Sequence, residues 1–281
     1  MRLSIAAAPL IAASTLLMAR AAPVDYTVHA VRFAHVPYAA RNLVAGVTDR
    51  TRMVDIAFTV WVVQGGGRTI LVDAGFYRDK FVQQWKPQDY VRPSEAVRLG
   101  LGIAPESVTD IVVTHSHWDH MDGVDLFPKA TIHIQRDERE YYVGPMGEVL
   151  HTGGVDADDA KMLAALADAG RVRLVEGDAR EILPGLTAYT GGKHTWASQY
   201  VGVTTRDGVV VLASDNAYLY ENLEGPRAIA QTLDPASNVA AQTRMLSLAA
   251  SPGLVVPGHD PAVFDRYPRP GLGVALIAPR R

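Results

Sequence analysis

Apolar residues occur along this chain in short β-branched runs, and some of the segments between the runs have helical spacing. The runs predict strands at residues 27–33, 56–63, 69–72, 110–114, 131–135, 199–204, 208–213 and 254–256. The helical spacing predicts helices at residues 94–101, 156–168 and 238–250. Strands and helices therefore alternate along the chain.

The order of these segments favours one class of fold. Some predicted strands follow one another as hairpins and others are separated by helices, which indicates mixed sheets with helices outside rather than a parallel barrel. An α/β fold of the αββα sandwich type fits this mixture. In the segment LVDAG, Asp73 and Gly75 predict a tight exit from a buried strand, and we expect a structural rather than a chemical role for them.

The first 21 residues have the order of a secretory signal peptide: Arg2, an apolar run over residues 3–18, and a small-residue exit ending at Ala21. We expect cleavage near Ala21, a single domain over residues 22–281, and a secreted or periplasmic protein with no stable membrane insertion. The alternative is an N-terminal membrane anchor, for which the run is short.

Composition narrows the chemistry. Hydrophobic residues make up 48% of the chain and charged residues 20%, which is enough apolar material for a core. The absence of cysteine excludes disulfides and thiolate ligands. A net charge of −3 without a basic cluster argues against nucleic acid as a partner, so a small-molecule substrate is expected.

The strongest chemical signal is the segment DIVVTHSHWDHMDG, which places His115, His117, Asp119 and His120 directly after an apolar run. Alternate residues of an extended segment point the same way, so His115 and His117 can share one ion, and the turn that follows directs the other two towards a second ion nearby. Imidazole and carboxylate are the ligands of zinc, iron or manganese in hydrolytic sites. The alternative is a polar surface turn.

Three downstream residues could complete such a site: His194 in TGGKHTWASQ, Asp215 in VVVLASDNAY and His259 in LVVPGHD. Each follows a strand-like run or a glycine-rich turn, at the edge of a predicted sheet. Taken singly, each has an ordinary surface or strand-end interpretation. Taken together, they provide enough ligands for two coordination shells.

With these motifs the chain resembles the metallo-β-lactamase superfamily over nearly all of its predicted mature length. The resemblance implies the αββα fold and two divalent ions, expected to be zinc. It implies that His115, His117 and His194 hold one ion, that Asp119, His120 and His259 hold the other, and that Asp215 bridges them. The implied reaction is hydrolysis by a metal-bridging hydroxide.

Two further features resemble N-acyl homoserine lactone hydrolases, the quorum-quenching lactonases: Tyr218, three residues after Asp215, and the segment IHIQRDEREYY. This resemblance implies that Tyr218 faces the substrate ester and that Trp118 borders an acyl pocket. We further expect Asp119 to donate the proton to the leaving group. The chain departs from these lactonases at Gly192 and Lys193, where they usually have a proline-glycine pair.

Other functions stay open at this stage. A β-lactamase of the all-histidine type has no bridging aspartate, so a metal contact of Asp215 would separate it from a lactonase. Thioester and phosphodiester hydrolases of the same fold, and a secreted binding protein without catalysis, are further alternatives. The sequence decides neither the oligomeric state nor the roles of His35, His151 and the connection at residues 36–53, for which a cap over the site and a plain surface loop are equally open.

Overall fold

A computed structural model describes residues 24–279 of the chain. Residues 1–23 lie outside this range, and so does the expected signal peptide. The described residues form twelve strands in two sheets, with eight α-helices and a few short 3-10 turns. None of the helices in this range is long and apolar enough to cross a membrane.

The first sheet has seven strands in the order β12-β1-β2-β3-β4-β5-β6. Their bounds are β1 Thr27–Ala39, β2 Met53–Gly65, β3 Arg68–Val72, β4 Asp110–Val112, β5 Thr131–Gln135, β6 Val172–Val175 and β12 Val274–Ala278. Strands β12, β1, β2 and β3 pair antiparallel, whereas β3, β4, β5 and β6 pair parallel. The first sheet is therefore mixed.

The second sheet has five strands in the order β11-β10-β9-β8-β7. Their bounds are β7 Arg180–Leu183, β8 Leu186–Thr190, β9 Gln199–Thr205, β10 Gly208–Ser214 and β11 Val255–Pro257. Neighbours pair antiparallel except β10 and β11, which run parallel. Both β10 and β11 consequently end at the same edge of this sheet.

The helices are α1 Asp79–Trp85, α2 Pro93–Leu101, α3 Trp118–Met121, α4 Arg136–Tyr142, α5 Ala157–Asp168, α6 Tyr220–Glu224, α7 Pro235–Leu248 and α8 Val263–Arg266. Two of them begin at aspartates whose side chains accept a backbone N–H, Asp156 for α5 and Asp234 for α7. Such N-caps satisfy donors that have no partner inside the helix.

Alternation along the strands of the first sheet explains the layers. On β2, Val60 and Val62 belong to one buried cluster, which includes side chains of α2 and α5. Trp61 and Val63 belong to a second cluster, which includes strands of both sheets and side chains of α7. Because successive side chains point to opposite faces, this sheet is buried on both sides, which is the expected αββα arrangement.

The predicted strands and helices are all present, with shifted ends. The first strand continues to Ala39, so the first residues of the expected connection at 36–53 belong to β1. Strands β6, β7, β8 and β12 and the short helices were not predicted. The three strands β6 to β8 are four or five residues long, and exposed charged residues in β6 and β7 and threonines in β8 weaken their apolar pattern.

Candidate metal centre

Loops at one edge of the two sheets bring the predicted ligands together. His115 lies in the turn after β4, and Asp119 and His120 lie on α3. The second sheet contributes three residues: His194 in the β8–β9 loop, Asp215 directly after β10, and His259 shortly after β11. Because strand ends are held by the ladders of both sheets, the positions of these side chains are fixed by the fold rather than by the loops alone.

The side chains form two groups, and within each group the potential ligand atoms all lie within 4.8 Å of one another. The first group is His115, His117, His194 and Asp215, and the second is Asp119, His120 and His259. This division is the one that the resemblance implies. Each group has the ligand types and number that a divalent transition metal accepts.

The carboxylate of Asp215 lies between the two groups. Its Oδ2 is 3.3 Å from His194 Nε2 and 3.7 Å from His115 Nε2. Its Oδ1 is 3.0 Å from His259 Nε2 and 3.3 Å from His120 Nε2. One oxygen of Asp215 therefore faces each group.

Unpaired buried atoms test whether metal ions fit here. Among the described residues, His115 Nε2, His120 Nε2 and Asp215 Oδ1 are buried without a hydrogen-bond partner. His117 Nδ1 and His194 Nε2 lie 3.0 Å apart and point at each other. Buried polar atoms without partners are costly, and a cation between these lone pairs would satisfy them together.

The outer nitrogens of four histidines are already occupied. His115 Nδ1 lies 3.0 Å from the Thr114 hydroxyl, and His120 Nδ1 lies 2.8 Å from Asp73 Oδ2. The remaining two Nδ1 atoms point at backbone carbonyls, at 2.8 Å for His194 with Gln231 and at 2.9 Å for His259 with Ala57. An oxygen acceptor on Nδ1 fixes the tautomer that leaves Nε2 free for a metal.

The pKa values of the histidines differ between the two groups. Burial and neighbouring histidines lower the pKa of His115 well below its usual value, and burial lowers the pKa of His117 to about 3. Burial would also lower the pKa of His120, but the carboxylates of Asp215, Asp119 and Asp73 outweigh it and raise that pKa well above its usual value. The histidines His115 and His117 of the first group are thus held neutral, as metal-binding histidines must be. At the second group, the surrounding carboxylates favour a positive charge.

Asp73 is a residue whose role the sequence did not reveal. The expected tight turn is present, with Asp73 at φ 61° and Gly75 at φ 69°. The fully buried carboxylate also accepts hydrogen bonds from Thr114 N at 2.8 Å and from the hydroxyls of Thr114 and Ser214. Asp73 therefore joins β3, β4 and β10 while it orients His120.

Glu138 on α4 is a second such residue. Its buried carboxylate accepts hydrogen bonds from Ser116 N at 2.9 Å and from Ala197 N at 2.7 Å. Ser116 stands between His115 and His117, and Ala197 belongs to the loop that carries His194. Glu138 lies in the segment IHIQRDEREYY, so the motif noticed in the sequence fixes the two ligand-bearing loops relative to each other.

A cavity of about 480 Å³ opens above these ligands. His117, Asp119, His194, Asp215 and His259 lie in its wall together with Tyr218, Gln231 and Thr232, and its apolar wall consists of Tyr38, Leu43, Ile56, Phe58, Trp85, Trp118 and Leu233. The described residues that line the cavity include no lysine or arginine. The space therefore combines a polar floor with a largely apolar wall.

The comparison with protein families agrees with this geometry. The family model described as the metallo-beta-lactamase superfamily matches residues 58–259. The chain belongs to the metallo-beta-lactamase superfamily. The matched range includes every residue of the two ligand groups.

Relatives within the metallo-beta-lactamase superfamily are distant. The N-acyl homoserine lactonase AiiB of Agrobacterium fabrum is 27% identical over 235 residues, which is 77% of this chain and 84% of that protein. The metallo-beta-lactamase domain-containing protein 1 of Homo sapiens is 30% identical over 166 residues, 58% of this chain and 51% of that protein. The N-acyl homoserine lactonase AttM of Azorhizobium caulinodans is 28% identical over 176 residues, 59% of this chain and 64% of that protein. The chain thus spans about half of the human protein and less than two thirds of AttM.

Solved structures show the same metallo-beta-lactamase fold. A quorum-quenching N-acyl homoserine lactone lactonase superposes with a TM-score of 0.68 at 20% identity, over 85% of this chain and 94% of that chain. The hydrolase AbOPH of the beta lactamase superfamily superposes with a TM-score of 0.66 at 18% identity, over 86% and 92% of the two chains. At this identity the likeness concerns the fold.

The remaining expected residues of this metallo-beta-lactamase domain divide by position. Trp118 and Tyr218 line the cavity. Lys193 does not, because its ammonium lies over the Trp196 ring, 4.4 Å from the centroid, and donates to the Trp196 carbonyl. His151 stacks on the Tyr141 ring with 3.8 Å between centroids, also outside the cavity wall.

His35 corrects a detail of the sequence analysis. The first strand was predicted to end at residue 33, but His35 lies within β1, because that strand extends to Ala39. Its ring nitrogens contact Asp55 and Asp89, at 2.9 and 3.2 Å. His35 therefore joins β1 to β2 and to the turn that carries Asp89, and it does not line the cavity.

Proposed function

We propose that this protein is a dinuclear metal-dependent hydrolase that opens acyl lactones of the N-acyl homoserine lactone type. The observation that carries the proposal is the carboxylate of Asp215, which presents one oxygen to each group of ligands. A bridging carboxylate requires two ions, and zinc is the ion that histidine-rich ligand groups of this kind suit best. The position of the Asp215 carboxylate also disfavours the all-histidine type of β-lactamase, which has no bridging aspartate.

The chain's own residues then have defined tasks. Bound divalent ions supply Lewis acidity and an activated water at neutral pH. Asp119 has a carboxylate at the second group that also faces the cavity, so we assign it the transfer of a proton from the attacking water to the departing alkoxide. Tyr218 is assigned the donor that stabilises negative charge on the ester oxygen.

Two contacts support the assignment of Tyr218. Its ring lies between the two groups, with centroids 5.7 Å from His194 and 5.8 Å from His259. Burial and the carboxylates of Asp215 and Asp119 raise the pKa of Tyr218 well above its usual value, so the hydroxyl keeps its proton. The hydroxyl bonds to the side chain of Gln231 at 3.0 Å rather than to the backbone, and a side chain can release it when a ligand arrives.

The cavity supports an uncharged, apolar substrate. Trp118 stacks on Phe81 and lies 5.3 Å from Trp85 between ring centroids, so the wall beside the ligands is a broad aromatic surface. The described lining offers no lysine or arginine for the carboxylate of a β-lactam or of a glutathione thioester. An acyl lactone needs no such partner, and its chain would bury apolar area against this wall.

The relatives support the same substrate class. Two of those described above are named N-acyl homoserine lactonases, and one aligns over more than four fifths of its own length. A structural neighbour is also described as an N-acyl homoserine lactone lactonase. We therefore rank lactones above thioesters and phosphodiesters.

The test is a comparison of kcat/KM for the zinc-loaded protein on an acyl lactone series, a chromogenic cephalosporin, a glutathione thioester and an aryl phosphodiester. Acyl lactones are expected to exceed the other classes by orders of magnitude. Asp215→Asn should abolish the lactone activity, and Asp207→Asn in the exposed β9–β10 turn is the matched control that should retain it. A cephalosporin turned over far faster than every lactone would reverse the assignment.

We also propose that the protein is exported, since residues 1–21 have the order of a signal peptide. The mass of the protein recovered from the cell envelope or the medium should correspond to a start near Ala22. An active protein that keeps Met1 in the cytoplasm would contradict export and leave the hydrolase proposal untouched.

A further inference from the structure

A second tyrosine, Tyr38, faces the same cavity from the end of β1. It lines the space with the metal-centre residues, and its ring lies 5.7 Å from that of Trp85. Its hydroxyl is 3.4 Å from Gln231 Nε2. Nothing in the reaction assigned above uses this hydroxyl.

Gln231 connects the metal centre to Tyr38. Its backbone carbonyl accepts from His194 Nδ1 at 2.8 Å, its side-chain Oε1 accepts from the Tyr218 hydroxyl at 3.0 Å, and its Nε2 donates to Tyr38. The His194 Nδ1 atom is also 3.4 Å from the Tyr218 oxygen. Because His194 turns Nε2 towards the ligand group, its Nδ1 carries the proton and is the donor in these contacts.

The donor and the acceptor can be assigned in each of these hydrogen bonds. The Tyr218 oxygen is close to a donor on His194, so its own proton is directed at Oε1 of Gln231. Because the side-chain oxygen of Gln231 faces Tyr218, the NH₂ group of the same amide faces Tyr38 and donates to the Tyr38 oxygen. A hydroxyl that accepts from Gln231 has its own proton free, and that proton points away from Gln231.

We infer that Tyr38 is a specificity-determining residue whose hydroxyl donates a hydrogen bond to an acceptor on the substrate other than the scissile ester, such as an amide carbonyl. This inference rests on the proposed lactonase function and narrows its substrate class. Tyr38 lines a cavity whose wall also includes the apolar side chains of Leu43, Ile56 and Trp85. When a ligand excludes water there, an unpaired hydroxyl is costly, whereas an acceptor on the ligand satisfies it.

The inference separates Tyr38 from Tyr218. Tyr218 lies between His194 and His259 and is assigned to the ester at the reacting centre. Tyr38 lies beside Trp85 instead, and its hydroxyl meets the opposite end of the Gln231 amide from Tyr218. A substrate that engages both must have two acceptors, one in the ring ester and one in the substituent, which describes an N-acyl amino lactone rather than a plain alkyl lactone.

The test compares two lactones of equal chain length, N-hexanoyl homoserine lactone and a γ-butyrolactone with an all-carbon α-alkyl substituent. In Tyr38→Phe, kcat/KM for the amide compound should fall roughly three- to tenfold, the range for one neutral hydrogen bond. For the alkyl compound it should stay the same or rise. Tyr90→Phe is the matched control, because the Tyr90 hydroxyl bonds to the Phe76 carbonyl outside the cavity wall.

Equal effects of Tyr38→Phe on both compounds, or no effect on either, would overturn the inference while the wild-type activity leaves the proposed function standing. If the zinc-loaded wild-type protein opens neither lactone, the proposed function fails. The inference is then decided by binding, followed through the fluorescence of Trp85 and Trp118. The wild-type protein should bind the amide compound more tightly than Tyr38→Phe does, with no such difference for the alkyl compound, and the same Kd for both proteins would overturn it.

Discussion

The carboxylate of Asp73 accepts a hydrogen bond from Nδ1 of His120 at 2.8 Å, although the two residues are 47 positions apart in the chain. Asp73 sits in a left-handed turn at the end of β3, and His120 sits on α3 after β4. The contact exists because β3 and β4 are parallel neighbours that end at the same edge. It turns Nε2 of His120 towards Asp215 and Asp119.

Asp73→Asn is expected to weaken metal binding at the second group roughly 10- to 100-fold, the usual cost of losing a partner behind a ligand. The amide keeps the shape of the side chain but no longer provides a carboxylate for the His120 N–H. Competition with a chelator measures the affinity, and Asp265→Asn, a change at an exposed aspartate, is the control. An unchanged zinc affinity in Asp73→Asn would contradict the assigned role.

Glu138→Gln tests the link between the two ligand-bearing loops. One amide oxygen can accept only one side of the pair, so either Ser116 N or Ala197 N then meets an NH₂ group instead of an oxygen. We expect a loss of about 1–3 kcal/mol in the free energy of unfolding, the cost of an unsatisfied buried donor. Urea titration of the variant beside Glu140→Gln, whose side chain is half exposed, measures it. Equal stability of the two variants would refute the link.

Asp159 gives a prediction for pH. Burial and the neighbouring Asp122 raise the pKa of Asp159 to about 9, while Arg78 contacts both carboxylates. A pKa raised in the folded state contributes stability below the ordinary value near 4, and this contribution is lost as the pH rises towards 9.

Relative to Asp159→Asn, which has no proton to lose, the wild-type free energy of unfolding should therefore fall by about 1–3 kcal/mol between pH 4 and pH 9. Each pKa unit corresponds to about 1.4 kcal/mol, and Arg78 offsets part of the cost. Denaturant unfolding of both proteins across this range measures the difference. Parallel curves would show that the folded state leaves this carboxyl unperturbed.

Tyr218→Phe tests the assigned oxyanion donor. Removal of the hydroxyl should lower kcat for acyl lactones roughly tenfold to a thousandfold, while zinc content and Tm stay near the wild-type values. Tyr77→Phe, which loses a hydroxyl bonded to Asp125 outside the cavity, serves as the control. A fall in Tm with an unchanged kcat per zinc-loaded molecule would assign the hydroxyl to packing instead.

The sequence was sufficient for the fold class and for the composition of the two ligand groups. His115, His117, Asp119 and His120 lie within six residues of one another in the chain, and a strand followed by a turn is a local pattern that apolar periodicity reveals. His194, Asp215 and His259 each follow a strand-like run or a glycine-rich turn, so their type and position could be read from the sequence. The family resemblance supplied the division into two groups.

The residues behind the ligands could not be found in this way. Asp73 and Glu138 lie in segments with ordinary strand-end and helical patterns, and their importance comes from contacts across 41 and 59 residues. Tyr38 fell in the expected connection at residues 36–53, for which a cap over the site was left open, because the first strand was predicted to end at residue 33 rather than at Ala39. Such roles depend on which strands become neighbours, and that is a property of the whole fold.

Metal stoichiometry tests the central claim most directly. The purified protein, stripped of metal and titrated with zinc, is analysed for bound metal per chain and for lactone turnover at each step. The account predicts saturation at two ions per wild-type chain, with full activity reached only at the second, and fewer than two in Asp215→Asn. Full activity with a single tightly bound ion, or after exhaustive chelation, would contradict it.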